Sequence, residues 1–146
     1  MTAANLYLNF DGNCEEAFNF YKSVFGGDFT YIGKFKDMPP QEGVPPMSAE
    51  DGEKIMHVSL PIGTETALMG SDTGGEWAPT YVLGNNFSVS INTDSKSEAE
   101  RIFNGLSAGG NVTMPLNKTF WSEMFGMFTD KFGINWMMNY DTGEVK

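Results

Sequence analysis

Basic residues are scarce in this chain: 9 Lys and Arg stand against 19 Asp and Glu, a formal net charge of −10. A surface of that sign repels phosphate backbones and anionic lipid head groups alike, which argues against nucleic acid and membranes as partners. Cysteine is almost absent. Cys14 has no second thiol for an internal disulfide, and the opening Met-Thr-Ala-Ala-Asn lacks the basic and apolar regions of a secretion signal, so a reduced, cytoplasmic location is expected. Long apolar runs are missing too, and none approaches the roughly 20 residues of a spanning helix. Histidine is limited to His57, and no low-complexity tract interrupts the 146 residues.

What the chain does have is self-similarity. Ala17, Phe20, Tyr21 and Val24, spaced as one apolar helical stripe, return as Ala99, Ile102, Phe103 and Leu106, each 82 positions on. Each stripe follows an alternating segment, Asn5 to Phe10 or Asn86 to Ile91, and each ends at a Gly pair, Gly26-Gly27 or Gly109-Gly110. An internal repeat fixes architecture before any motif does. The expectation is an α+β fold of two βαβββ modules forming a curved mixed sheet around a cup. Module 1 covers about 1–72, a linker about 73–85 and module 2 about 86–146, within a single domain over 1–146.

Further strands are expected around Phe29 to Phe35, at Lys54 to Ile62, at Ala67 to Asp72 and at Asn111 to Phe120, Met124 to Thr129 and Asn135 to Tyr140. Alternation along Lys54 to Ile62 places Met56, Val58, Leu60 and Ile62 on one face and Ile55, His57 and Ser59 on the other. Ser95-Lys-Ser-Glu98 is a capping-box sequence for the second helix. Lys36 to Glu53, with Pro39-Pro40 and Pro45-Pro46, is a long loop of the kind that forms lids or arms.

His57 is the prime candidate for proton chemistry, since an imidazole titrates near neutral pH in general. No second imidazole accompanies it, and a Ser59, His57, Asp72 triad lacks the nucleophile-elbow sequence. A hydrogen-bonded cavity histidine is the plainer role. Trp77, Trp121 and Trp136, with Phe120, Met124 and Phe125, supply enough aromatic and thioether surface to line a pocket, though core packing uses the same residues. Glu123 is placed to orient a cationic ligand or to sit solvated at a strand end. Cys14 is at a helix start, where a thiol is activated or merely fits as a small buried residue.

The repeat, together with Phe10-Asp-Gly-Asn13, Glu16-Ala17, Phe20-Tyr21, Met56-His57, Met69-Gly-Ser-Asp72 and Asp130-Lys-Phe-Gly133 with Trp136, resembles the PhnB-like branch of the vicinal oxygen chelate superfamily. That superfamily includes glyoxalase I, extradiol dioxygenases and the bleomycin and fosfomycin resistance proteins. The resemblance implies a cup into which metal-dependent members direct His, Glu and sometimes Gln. Matched by position, those places fall near Asn5, Ser71 or Asp72, Asn86 and Met137. Two amides and a thioether make a poor site for a first-row divalent ion. The resemblance and the residues together therefore imply no metal and no cofactor. The expectation is a binding protein for an unidentified small molecule, its cup lined by Asn5, Tyr7, His57, Ser59, Asp72, Asn86, Trp121, Glu123 and Trp136, and a homodimer, as relatives commonly are. The alternative is a metal-dependent lyase or dioxygenase-like enzyme using His57 with Asp72 and Glu123. Some members carry a demethylubiquinone methyltransferase name, but no glycine-rich loop between a strand and a helix is present to hold a nucleoside cofactor.

Overall fold

The computed structural model describes residues 4–39, 42–43, 47–73 and 81–140. Trp77, Pro40 and Pro45-Pro46 lie outside the described residues. The chain divides into two compact units, Met1–Val82 and Leu83–Lys146, and the division falls inside the expected linker.

The first unit runs β1 (Leu6–Phe10), α1 (Cys14–Phe25), β2 (Tyr31–Lys34), a short 3-10 turn (Phe35–Asp37), α2 (Ala49–Gly52), β3 (Ile55–Ile62) and β4 (Thr66–Asp72). Its sheet has the order β1-β4-β3-β2, with β1 parallel to β4 and the other pairs antiparallel. The second unit repeats this with β5 (Val89–Thr93), α3 (Lys96–Ser107), β6 (Asn111–Asn117), β7 (Met124–Thr129) and β8 (Asn135–Tyr140), in the order β5-β8-β7-β6. Each unit is thus βαβββ. The expected α+β architecture is present, and the matched helical residues occupy equivalent places on α1 and α3.

Alternation decides which face of each sheet meets its helix. Leu8, Phe10, Val58, Leu60 and Leu68 are buried in the first unit along with Ala17, Phe18, Tyr21 and Val24 of α1. Ile102, Phe103, Leu106, Phe128, Trp136 and Met138 form the second core. Fully burying each such aliphatic or Phe side chain stabilises by about 1.5–3 kcal/mol. Phe18 is a core residue with no counterpart in the repeat, because the position 82 further on is the exposed Glu100. Phe20 is only half-buried.

Phe18 and Phe103 both fit onto their sheets through a glycine. A Cβ at Gly70 of β4 would lie 2.8 Å from the Phe18 ring, and one at Gly126 of β7 would lie 2.7 Å from the Phe103 ring. The two hollows are not on equivalent strands, since β4 corresponds to β8 of the second unit and β7 to β3 of the first. Gly70 pairs with Val58, whereas Gly126 pairs with Met138.

Four expectations are corrected. Ile55, not Met56, is buried with Val58 and Leu60, because the β2–β3 register shifts between Gly33 and Lys34 and the irregularity reverses the alternation behind it. The strand expected from Asn86 begins at Val89. The segment 36–53 holds the 3-10 turn and α2, the latter capped by Ser48, whose side chain accepts from Asp51 N. The capping box on α3 is half-formed: Ser95 Oγ accepts from Glu98 N at 3.3 Å, while the Glu98 carboxylate pairs with Arg101 at 2.9 Å.

Candidate functional site

On the first sheet, the face turned away from α1 carries a compact aromatic cluster around His57. Tyr7 on β1 brings its hydroxyl 3.2 Å from His57 Nδ1, and the two rings stack with centroids 5.6 Å apart. Tyr31 on β2 closes the other side at 5.7 Å. Gly33, paired with His57, leaves the space for this: a Cβ there would stand 2.6 Å from Tyr31 Oη, so a larger residue would push the ring aside. Ser59 pairs with both Tyr31 and Met69, and Met69 pairs with Tyr7, so these four form one row across the sheet. Tyr7 and Tyr31 remain 40% and 48% exposed, available to a ligand.

The structure therefore brings together Tyr7, His57 and Ser59 of the expected residues and adds Tyr31. A Tyr-x-Gly on the strand beside the histidine is the signal that identifies the fourth member. In the neutral ring, a Tyr7 hydroxyl donating to Nδ1 leaves the proton on Nε2, which then serves as a donor.

Asp72 belongs elsewhere, which corrects its expected role. It is 4% exposed and faces the helix; Oδ1 accepts from Gly12 N and Cys14 N, and Oδ2 from Ile55 N, each at 2.9 Å. The carboxylate caps α1 in place of Asn13, whose side chain makes no cap bond. Trp136 is likewise a core residue: it is buried, stacks on Phe128 and donates Nε1–H to Asp130 Oδ2 at 2.9 Å. Cys14 is fully buried, and burial, reinforced by the Asp72 charge, pushes its thiol far above the usual range, so it is no nucleophile. Asn5 and Asn86 are exposed and lie outside the strands.

The amides that the repeat relates are others. Asn9 on β1 pairs with Ser71, and Asn92 on β5, 83 positions on, pairs with Asn139. The first strands repeat at 83 and the main helices at 82, because one residue fewer joins β5 to α3. A constant shift of 82 conceals the match.

On the second sheet the face turned away from α3 is softer in character. Ser90, Met137, Met127 and Met114 form one row by register, and Asn92, Asn139 and Phe125 form the next. Asn139 Nδ2 donates to Asn92 Oδ1 at 3.1 Å. Trp121 lies edge-on to Phe125 at 5.4 Å and to the highly exposed Phe120 at 4.7 Å. Glu123 is half-buried just before β7. Beside it Ser122 is wholly buried, its hydroxyl within reach of the carbonyls of Met124 and Tyr140.

These residues do not fit a metal. The one imidazole is held by Tyr7, both oxygens of Asp72 are committed to backbone N–H groups, and the remaining donors named on the two faces are amides, hydroxyls and thioethers, with Glu123 a lone carboxylate on the second unit. Among the described residues no group of three or more His, Cys, Asp or Glu is placed to hold an ion. No helix among them is long and apolar enough to cross a membrane.

Residues 3–139 match the family described as 3-demethylubiquinone-9 3-methyltransferase. The chain is 31% identical to Protein YjdN of Escherichia coli K12 over 138 residues, 91% of each chain. Among solved structures, protein PA1353 from Pseudomonas aeruginosa superimposes with a TM-score of 0.81 at 43% identity, covering 97% of this chain and 98% of that one. A putative 3-demethylubiquinone-9 3-methyltransferase, the PhnB protein from Bacillus cereus, gives 0.70 at 22% identity over 95% and 99%.

Proposed function

The chain belongs to the 3-demethylubiquinone-9 3-methyltransferase family, within the PhnB-like branch of the glyoxalase/bleomycin resistance superfamily, and from that premise we propose a metal-independent small-molecule-binding protein. The Tyr7, His57 and Tyr31 cluster is its recognition element. The observation that carries this reading is the way His57 is held. A ring clamped between two tyrosines, with Nδ1 hydrogen-bonded to the Tyr7 hydroxyl, leaves Nε2 for a ligand and, among the described residues, forms no ion pair with a carboxylate that would make it a charge-paired base.

Methyl transfer, which the family's name describes, finds no support in the strand-to-helix junctions. Asp11-Gly-Asn13 and Asp94-Ser95 are too short and too poor in glycine to cradle a nucleoside cofactor. A reduced compartment suits a protein whose single thiol is a core residue. A homodimer suits the exposed apolar residues Leu83, Phe87, Phe120 and Trp121 of the second unit. Sedimentation at micromolar concentration giving only a 16.1 kDa species would exclude the dimer.

Native mass spectrometry with metal analysis, on protein purified without added ligand, tests the central claim. The expected result is no stoichiometric zinc, nickel or iron, and a melting temperature unmoved by chelator. A resident metal would instead add its binding energy to stability. One metal per chain that disappears in His57→Ala decides for the enzyme reading.

A further inference from the structure

The second sheet holds an arrangement that the His57 cluster does not explain. Asn139 is spent on one side only: its Nδ2 serves Asn92, while its Oδ1 is buried and accepts no hydrogen bond. Buried polar atoms are nearly always paired, so an acceptor in this state calls for a donor. Its neighbours across the sheet are Asn92 on one side and Phe125 on the other, and the adjacent row is Met137, Met127 and Met114. Thioethers adapt to irregular shapes and favour contact with aromatic rings, and the edge-on pair of Phe125 and Trp121 extends the same surface. A flat ring seated on the thioether row, with a donor on its rim, would supply the bond that this buried oxygen lacks, a small shift of the Asn139 side chain admitting it.

We propose that this face of the second sheet binds a planar aromatic amine, with its ring against Met114, Met127 and Met137 and its N–H on Asn139 Oδ1. The amine is favoured over an aromatic acid by the chain's net charge of −10, which repels anions, and by the acceptor itself, which a carboxylate cannot satisfy. The inference rests on the reading of this protein as a small-molecule binder and adds the class of ligand.

The test uses 9-aminoacridine at high salt, where its positive charge is screened, with neutral acridine as the same ring system without an N–H. Binding is followed by dye fluorescence and by the methyl resonances of 13C-methyl methionine in the whole protein, assigned by single Met→Leu substitutions. We expect 1:1 binding, ring-current upfield shifts at Met114, Met127 and Met137, and acridine bound about tenfold more weakly. Asn139→Leu should bring 9-aminoacridine down to the level of acridine. The wild-type shifts carry the answer even if that variant folds poorly. Shifts confined to Met69 on the first sheet, equal affinity for the two dyes, or no binding up to millimolar dye would overturn the inference. The first of these leaves the metal-free reading standing, whereas a stoichiometric metal removes that reading whatever the dyes do.

Discussion

The two units share every strand and the main helix, yet they secure the start of that helix by opposite means. In the first, the carboxylate of Asp72, 58 residues from Cys14, reaches from β4 to the first amide of α1 and also holds Ile55 at the start of β3. In the second, Ser95 caps α3 locally, and the buried carboxylate is Asp130. Asp130 accepts from Phe132 N and Ile134 N in the β7–β8 turn and from the Trp136 indole. One topology thus tolerates either a long-range or a short-range lock. The first unit couples three elements through one side chain, and the second distributes the same work.

Breaking the long-range lock should cost most. Asp72→Ala leaves three amides unpaired, two of those bonds being buried, and should destabilise by about 3 kcal/mol or more. Amide hydrogen exchange should show the loss first in α1 and β3, not in α3; equal loss in both units would count against the comparison. Next comes Gly126→Ala, whose Cβ would press on the Phe103 ring and lie 3.0 Å from the Met114 carbonyl. Overpacking of this kind costs about 1–3 kcal/mol, measurable by urea unfolding. Ser95→Ala should cost only about 1 kcal/mol, since a local cap serves a single helix. An effect matching that of Asp72→Ala would show that the two starts are not different in kind.

The smallest effect concerns pH. Lys36 and Lys34 hydrogen-bond Glu53 and hold its carboxyl down at about 2, against an ordinary 4.5. A depressed carboxylate stabilises above its unfolded value and loses that contribution as pH falls towards its folded one. The melting-temperature difference between wild type and Glu53→Gln should therefore exist at about pH 6 and shrink from about pH 4.5 towards 2. Glu53 is exposed, so added salt should reduce the difference as well.

Much of the fold was legible because periodicity survives wherever a strand is regular. Met124 to Thr129 and Asn135 to Tyr140 lie where alternation predicts them, and α1 stops at Gly26, whose φ of 81° is left-handed. The site was legible only in part. His57, Tyr7 and Ser59 follow from alternation, but one irregularity in the β2–β3 pairing reverses the phase at Ile55 and Met56. Asp72 reads as a ligand in sequence because nothing local reveals that three distant amides converge on it. Asn9 and Asn92 are hidden by a one-residue difference between the strand and helix repeats, and Tyr31 by its dependence on the missing side chain of Gly33.

The burial of Cys14 turns one half of this protein into its own clock. A thiol reagent attacks only the thiolate, which this residue forms only when the surrounding core opens. Since the second unit contains no cysteine, the rate of alkylation times the opening of the first unit alone. Against the global unfolding rate, it tells whether the halves come apart together or in turn, with no label introduced and no residue changed.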